Sequence, residues 1–216
     1  MITRKTLSTI TIIIALIAFG SGIGIFSARQ QRAHLPVQIQ GLMWPNPKSL
    51  LAFTTIDQNG KEFGLGNLQG KWSFLFFGYT HCPDICPITL TIMDKVYKQL
   101  ESMQQQSAVQ MIFVSVDPER DTSEQLHSYV SYFNEGFIGL GGSLEQIQAL
   151  TRQMGIAYFH DQPTATGDYM VDHSASIFLI DPQGQLVAIL SAPHQVEDIL
   201  SRFLEIRPFI ENQAKT

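Results

Sequence analysis

The chain of 216 residues has little cysteine, little charge and no long basic run, and each scarcity closes off a class of protein. Two cysteines cannot staple a disulfide-dense scaffold, nor supply the four thiolates of a closed zinc module. Charged residues make up 15% of the chain against 44% hydrophobic ones, which excludes a disordered or acidic-tail protein. With a net charge of −5 and no basic patch, nucleic acid is not an expected partner. Internal repeats and low-complexity tracts are absent as well. Charge is scarcest at the start, where residues 1–26 hold Arg4 and Lys5 and no acid. Taking these two from the 14 basic residues leaves 12 against 19 acidic ones, so the rest of the chain carries −7.

What fills the start is apolar. Residues 6–28 carry no charge and include the run Ile12 to Phe19. As a helix this stretch spans roughly 35 Å, enough for a hydrocarbon core of about 30 Å. No polar face marks a solvent side, so a single N-terminal transmembrane helix over residues 1–28 is expected rather than a buried core helix. A cleaved signal peptide competes with this reading, because Arg4 and Lys5 form a short basic head and residues 18–22 are rich in small side chains. Continuation of the apolar run to Phe26 favours a retained anchor. A lipid-modified cysteine is excluded, since none lies nearby. Residues 29–50, with Pro36, Pro45 and Pro47, read as a tether; residues 51–208 as one exported domain; residues 209–216 as a C-terminal tail.

The domain alternates strand and helix patterns. Residues 51–55, 72–77, 109–116, 176–180 and 186–190 read as strands. The runs at 72–77 and 109–116 are continuously apolar, as in strands buried on both faces. Helical spacing predicts helices over 88–103, from Asp121 or Thr122 to 133, over 143–154 and over 196–204. The pattern implies an α/β domain with a central mixed β-sheet flanked by helices.

The chemistry concentrates in GYTHCPDICP. Cys82 and Cys86, four apart, directly follow a buried strand at the start of a helix, where free amides and the helix dipole favour thiolate. On one helical turn both sulfurs face the same way, close enough to share a metal or form a disulfide. Two thiolates suit copper, above all Cu(I), better than a closed zinc site. A plain disulfide and two inert buried cysteines remain open alternatives. A third ligand has to come from the six histidines. His81 adjoins Cys82, and consecutive residues seldom face one ion. His34, His127, His160 and His194 read as tether, surface or hydrogen-bonded histidines. His173, in VDHS at the mouth of a buried strand, is the better candidate. Asp84 reads as an acceptor of local backbone hydrogen bonds, and Asp117, Arg120 and Asp121 as a turn, an ion pair and a helix cap.

The string GKWSFLFFGYTHCPDICP, followed in order by VSVDPERDT and DHSASIFLIDPQG, resembles the Sco/SenC family of copper-binding proteins concerned with cytochrome c oxidase assembly. The match runs from about residue 53 to 203. The resemblance implies a thioredoxin-like fold behind an N-terminal membrane anchor, facing the periplasm or, in a mitochondrion, the intermembrane space. It implies that Cys82, Cys86 and His173 bind copper, as Cu(I) or Cu(II). It also implies the copper-A domain of cytochrome c oxidase subunit II as partner, beside other copper chaperones or thioredoxin-like reductases. Ser123 stands where the family pattern DPERDTPE has proline, at a helix start that touches no ligand. Three functions follow. The first is copper delivery to subunit II. The second is a thiol-disulfide reductase that keeps the subunit's cysteines reduced through the pair Cys82 and Cys86. The third is a redoxin or peroxidase-like enzyme in which Cys82 attacks peroxide, a reaction with no need of His173. Three residues between the cysteines, where thioredoxin has two, weaken the general reductase.

Overall fold

The structure is a computed structural model that describes Met43 and residues 47–213. The expected membrane segment at 1–28 and most of the tether lie outside the described residues. Among those described, no helix is long and apolar enough to cross a membrane.

Ten strands follow in chain order: β1 (Lys48–Ser49), β2 (Thr54–Asp57), β3 (Glu62–Gly64), β4 (Trp72–Gly78), β5 (Val109–Ser115), β6 (Ile138–Gly141), β7 (Tyr158–His160), β8 (Val171–His173), β9 (Ile177–Ile180) and β10 (Gln185–Leu190). The helices between them are α1 (Leu65–Leu68), α2 (Ile85–Ser102), α3 (Ser123–Phe133), α4 (Leu144–Met154) and α5 (Val196–Gln213). Eight strands make one mixed sheet in the order β1-β10-β9-β4-β5-β6-β2-β3, and β7 and β8 form a separate ribbon. β4 and β5 are parallel, from Trp72 opposite Val109 to Gly78 opposite Ser115, and β6 continues the parallel block. β9 runs antiparallel to β4, with Phe76 opposite Ile177.

Every residue of β4 and β5 is buried, because helices cover both faces of the sheet. Period-2 alternation splits the apolar run between two layers. Leu75, Phe77, Ile112 and Val114 pack with Ile147, Leu150 and Met154 of α4. On the other face Trp72 and Phe74 meet the Phe203 ring of α5 edge-on, at 5.5 and 5.2 Å between centroids. Beside them Phe76 and Phe113 lead to Tyr129 of α3. α2 buries Cys86, Leu90, Met93, Val96 and Leu100, spaced as one helical stripe. Ser143 caps α4 by accepting from the Gln146 N–H, while the Gln146 side chain accepts from the Ser143 N–H.

Several boundaries depart from expectation. The fold reaches into the expected tether: Lys48 and Ser49 pair with β10, and Leu50 is buried. The strand expected at 51–55 falls at 54–57, as β2, and Leu51 is exposed. The last helix runs past 204 to Gln213, so residues 209–213, expected in a tail, are helical. Ile206 and Ile210 extend its buried stripe, and Pro208 lies on the exposed side. Asp121 does not cap α3; Thr122 does, accepting from the Gln125 N–H. β3, β6 and the β7–β8 ribbon carry too few residues to stand out as periodic patterns.

Candidate metal centre

Parallel β4 and β5 end side by side, with the Val116 N–H donating to the Gly78 carbonyl at 2.8 Å. β9 begins beside them, so the loops at 79–84, 116–122 and 173–176 meet at one sheet edge. This is the crevice beyond the carboxyl ends of the strands, where open α/β sheets place their ligand sites. α2 starts immediately after the first of these loops and carries Cys86 in its first turn. Cys82 lies half-buried at the rim, and Cys86 is buried beneath it.

The two sulfurs and a ring nitrogen of His173 all lie within 4.8 Å of one another. The His173 Nε2 stands 3.3 Å from the Cys86 Sγ. Its Nδ1 faces the Ser174 carbonyl at 3.1 Å; a carbonyl only accepts, so Nδ1 donates to it and Nε2 is left facing the sulfurs. Phe76 and Tyr79 meet the imidazole edge-on, each 5.9 Å away between centroids, and fix its plane. Gly78 leaves space for the sulfur, since a Cβ there would lie 2.5 Å from the Cys86 Sγ.

The cysteine pair divides its protons unequally. A hydrogen bond from the Cys86 thiol holds the Cys82 pKa down to about 3, with smaller help from His173 and from the backbone at Asp84 and Cys86, against the opposing effect of burial. Cys86 moves the other way, because it donates to the Cys82 sulfur and is itself desolvated. Cys82 is therefore the thiolate and Cys86 the thiol. Both cysteines are free in this structure, so no disulfide joins them.

A turn of acids and one arginine braces the site. Asp121, buried, accepts from the Thr80 N–H at 3.0 Å, from the Thr80 hydroxyl at 2.7 Å and from the Ser115 hydroxyl at 2.5 Å. Burial raises its carboxyl pKa, with those hydrogen bonds opposing the rise. Thr80 is two residues before Cys82, so Asp121 anchors the cysteine loop. Asp84, expected to accept local backbone hydrogen bonds, sits at the start of α2 without a side-chain cap bond. His81 is exposed and turns to Thr80, 3.1 Å away, rather than to the sulfurs. His194 faces the Ala175 carbonyl at 2.6 Å, tying down the segment just after His173. His160 lies 3.9 Å from Asp117. The bracing role of Asp121 was invisible in the sequence, where the residue read as a cap.

Two soft sulfurs and one imidazole gathered at a rim, with no fourth His, Cys, Asp or Glu in the group among the described residues, suit a soft ion of low coordination number. Copper fits that description better than a closed structural zinc, which takes four protein ligands.

The SCO1/SenC family model matches residues 45–206. A protein of Stutzerimonas stutzeri described as a putative copper-binding protein is 37% identical over 173 residues, covering 80% of this chain and 84% of the relative. Mitochondrial SCO1 homolog 1 of Arabidopsis thaliana is 38% identical over 160 residues, 73% of this chain and 47% of the relative. The chain thus spans about half the length of this mitochondrial relative. Among solved structures, copper-bound ScoI of Arabidopsis thaliana superposes with a TM-score of 0.67 at 36% identity, covering 73% of this chain and 98% of that one. Copper-bound yeast Sco1 gives a TM-score of 0.68 at 32% identity, covering 74% and 88%. The fold shared with them is the mixed α/β, thioredoxin-like one, a central sheet flanked by helices.

Proposed function

This chain belongs to the SCO1/SenC family, and from that premise we propose that it is a membrane-tethered copper chaperone of cytochrome c oxidase assembly, delivering copper to the copper-A site of subunit II. In this reading Cys82, Cys86 and His173 are the ligands, and residues 1–28 anchor the domain so that it faces the periplasm, or the intermembrane space in a mitochondrion. The observation that carries the proposal is the convergence of two sulfurs and a ring nitrogen within 4.8 Å at the sheet's carboxyl edge. The protein's own contribution is preorganisation. Cys82 is already a thiolate, the Ser174 carbonyl orients His173 through Nδ1 so that Nε2 faces the sulfurs, and Gly78 keeps the floor under Cys86 open. Copper supplies the cargo. Binding both oxidation states follows from the mixed donor set, since sulfur favours Cu(I) and imidazole also serves Cu(II). Because Cys86 must lose its proton on binding, uptake releases acid and weakens as pH falls.

The test is stoichiometric. Purified protein retains one copper per chain, and Cys82→Ser, Cys86→Ser and His173→Ala each lose it. The loaded protein then transfers metal to an apo fragment of subunit II. Copper retention unchanged in all three variants sinks the assignment.

A second reading is supported by the unequal pair. A half-exposed thiolate above a buried thiol is also the arrangement of an attacking and a resolving cysteine, which supports thiol-disulfide exchange with subunit II. His173→Ala separates the two readings, because it removes a metal ligand and leaves both sulfurs in place. Peroxide turnover that persists in that variant points instead to the peroxidase-like redoxin.

A further inference from the structure

The geometry points to Arg120 as the positioning residue for His173: with Asp117 it clamps Tyr169, and so fixes the ribbon that carries the histidine opposite the cysteine loop. This rests on the metal-site reading given above and adds a residue that touches no metal. β8 is not part of the main sheet, so His173 takes no position from the eight-stranded ladder. Its place depends in part on whatever pins the excursion of residues 157–173 to the rest of the fold.

After His173 the chain is held by His194 at the Ala175 carbonyl and by the start of β9 at Ile177; before it, the pin is concentrated on one side chain. The Arg120 Nε donates to the fully buried Asp117 carboxylate at 2.5 Å. Its Nη1 donates to the Tyr169 carbonyl at 3.1 Å, and its Cζ lies 3.6 Å from the centre of the Tyr169 ring. The Tyr169 hydroxyl closes the circuit by donating to the other Asp117 oxygen at 2.7 Å. One tyrosine is therefore held at its backbone, its ring face and its hydroxyl by two residues of a single turn. Beyond it, Met170 and Asp161 join by a backbone bond of 2.9 Å, and the register runs His160 to Val171 and Tyr158 to His173. A second arm runs through Tyr79, whose ring lies 5.6 Å from the Arg120 Cζ and meets the His173 imidazole edge-on.

The same turn serves the other ligands. Asp121, next to Arg120, holds Thr80 and with it the Cys82 loop. Residues 117–121 are thus a common support of both ligand-bearing segments, added to the direct contacts that Tyr79 makes with His173 and Met170. Arginine is needed for this, because only a planar fork can donate along its edge while stacking its face on a ring. The Arg120 Nη2 stays buried without a hydrogen-bond partner, so the residue is held in place at a cost.

The test compares wild type, Arg120→Lys and Tyr169→Phe, first without metal and then loaded with Cu(II). In the apo protein, amide exchange at Asp161 and Asp172, the N–H groups that face across the ribbon, accelerates by about tenfold or more in Arg120→Lys, as expected for losing a charge-assisted bond, and by less in Tyr169→Phe. Amides of β4 keep their wild-type protection. In the loaded protein, nitrogen hyperfine coupling to copper weakens while the sulfur-to-copper charge-transfer band persists, and affinity falls roughly 10–100-fold. Should Arg120→Lys fail to fold, Tyr169→Phe, which loses one hydroxyl, carries the comparison. Unchanged ribbon exchange and unchanged hyperfine coupling overturn the proposal. So does an equal loss of protection in β4 and the ribbon, which would make Arg120 a general stabiliser. A wild-type protein that takes up no copper defeats the metal-site reading, and the apo exchange data still decide whether the clamp exists.

Discussion

Gly78→Ala tests how tightly the sheet edge is fitted around the buried thiol. A Cβ at this position meets the Cys86 Sγ at 2.5 Å, the Phe113 Cε2 at 2.9 Å and the Phe76 Cε1 at 3.3 Å. Ordinary carbon contacts lie near ~3.5–4.0 Å, so the first approach is short by about 1 Å. None of the three neighbours has freedom to yield. Cys86 and both rings are fully buried, and the rings belong to strands paired on both sides. Residue 78 lies in regular strand with no positive φ, so the substitution adds bulk without backbone strain. Overpacking of this kind costs about 1–3 kcal/mol. For a domain of this size that is roughly 2–4 °C of Tm per kcal/mol, or about 2–12 °C in all. The displaced atom is a sulfur of the proposed site, so copper affinity should fall with stability. Gly66→Ala is the control: it lies in α1, and a Cβ there meets nothing within 4 Å. Alanine in place of a helical glycine should be neutral or stabilising by about 0.5–1 kcal/mol. Calorimetry and a copper competition titration on both variants make the comparison. A Gly78→Ala protein with wild-type Tm and wild-type copper affinity refutes the claim that Cys86 is immobile.

The unequal thiols predict alkylation of one cysteine alone: iodoacetamide should label Cys82 rapidly even near pH 5, while Cys86 stays unmodified until the chain unfolds. Mass spectrometry of the digested protein reads this, and equal labelling at pH 5 contradicts it. Asp121 has a folded pKa above its unfolded value, so its contribution to stability is complete below the ordinary carboxylate range and is lost as pH rises through the raised pKa. The stability gap between wild type and Asp121→Asn, from urea unfolding, should therefore be wider near about pH 3 than near about pH 7. A gap that widens with pH means that the bonds from Thr80 and Ser115 outweigh burial. Ser143→Ala removes the cap of α4 and should cost about 0.5–2 kcal/mol. It lies outside the metal site, so copper stoichiometry in that variant should match wild type.

The legible parts of this fold are those where local pattern and tertiary environment agree. The runs at 72–77 and 109–116 read as buried strands because a strand covered on both faces has no polar side to show, and α4 announced itself through Ser143 at its start. β3 and β6 did not, because three or four residues cannot display a period. Lys48 and Ser49 fell in the expected tether because residues 29–50 are Gln/Arg-rich and carry three prolines; their pairing with β10 uses backbone groups, which composition does not report. The site was half legible. Cys82 and Cys86 are marked by scarcity and spacing, whereas His173 lies 87 residues beyond Cys86 and came forward only through its neighbours in VDHS. Asp121 and Arg120 were read as a local cap and ion pair because their partners, Thr80 and Tyr169, are 41 and 49 residues away.

The three candidate donors differ in how firmly the fold holds them, and that ranking constrains any exchange chemistry. Cys86 sits in the first turn of α2, fully buried beneath Cys82, and cannot advance to meet a partner. Cys82 is at the rim and already ionised. His173 rides on a ribbon outside the main sheet. An incoming thiolate, whether it takes copper or resolves a disulfide, therefore meets Cys82 first in both proposed functions. The cysteines alone cannot tell the two apart, and neither can any variant that removes one of them. His173 can, because thiol-disulfide exchange draws on the sulfurs, and the largest cause that lowers the Cys82 pKa is the Cys86 hydrogen bond rather than the imidazole. If copper handling is the selected chemistry, His173→Ala abolishes metal transfer and leaves reduction of a target disulfide near its wild-type rate. If both activities collapse together, the imidazole serves the thiolate itself, and the division of the site into sulfur chemistry and metal capture is wrong.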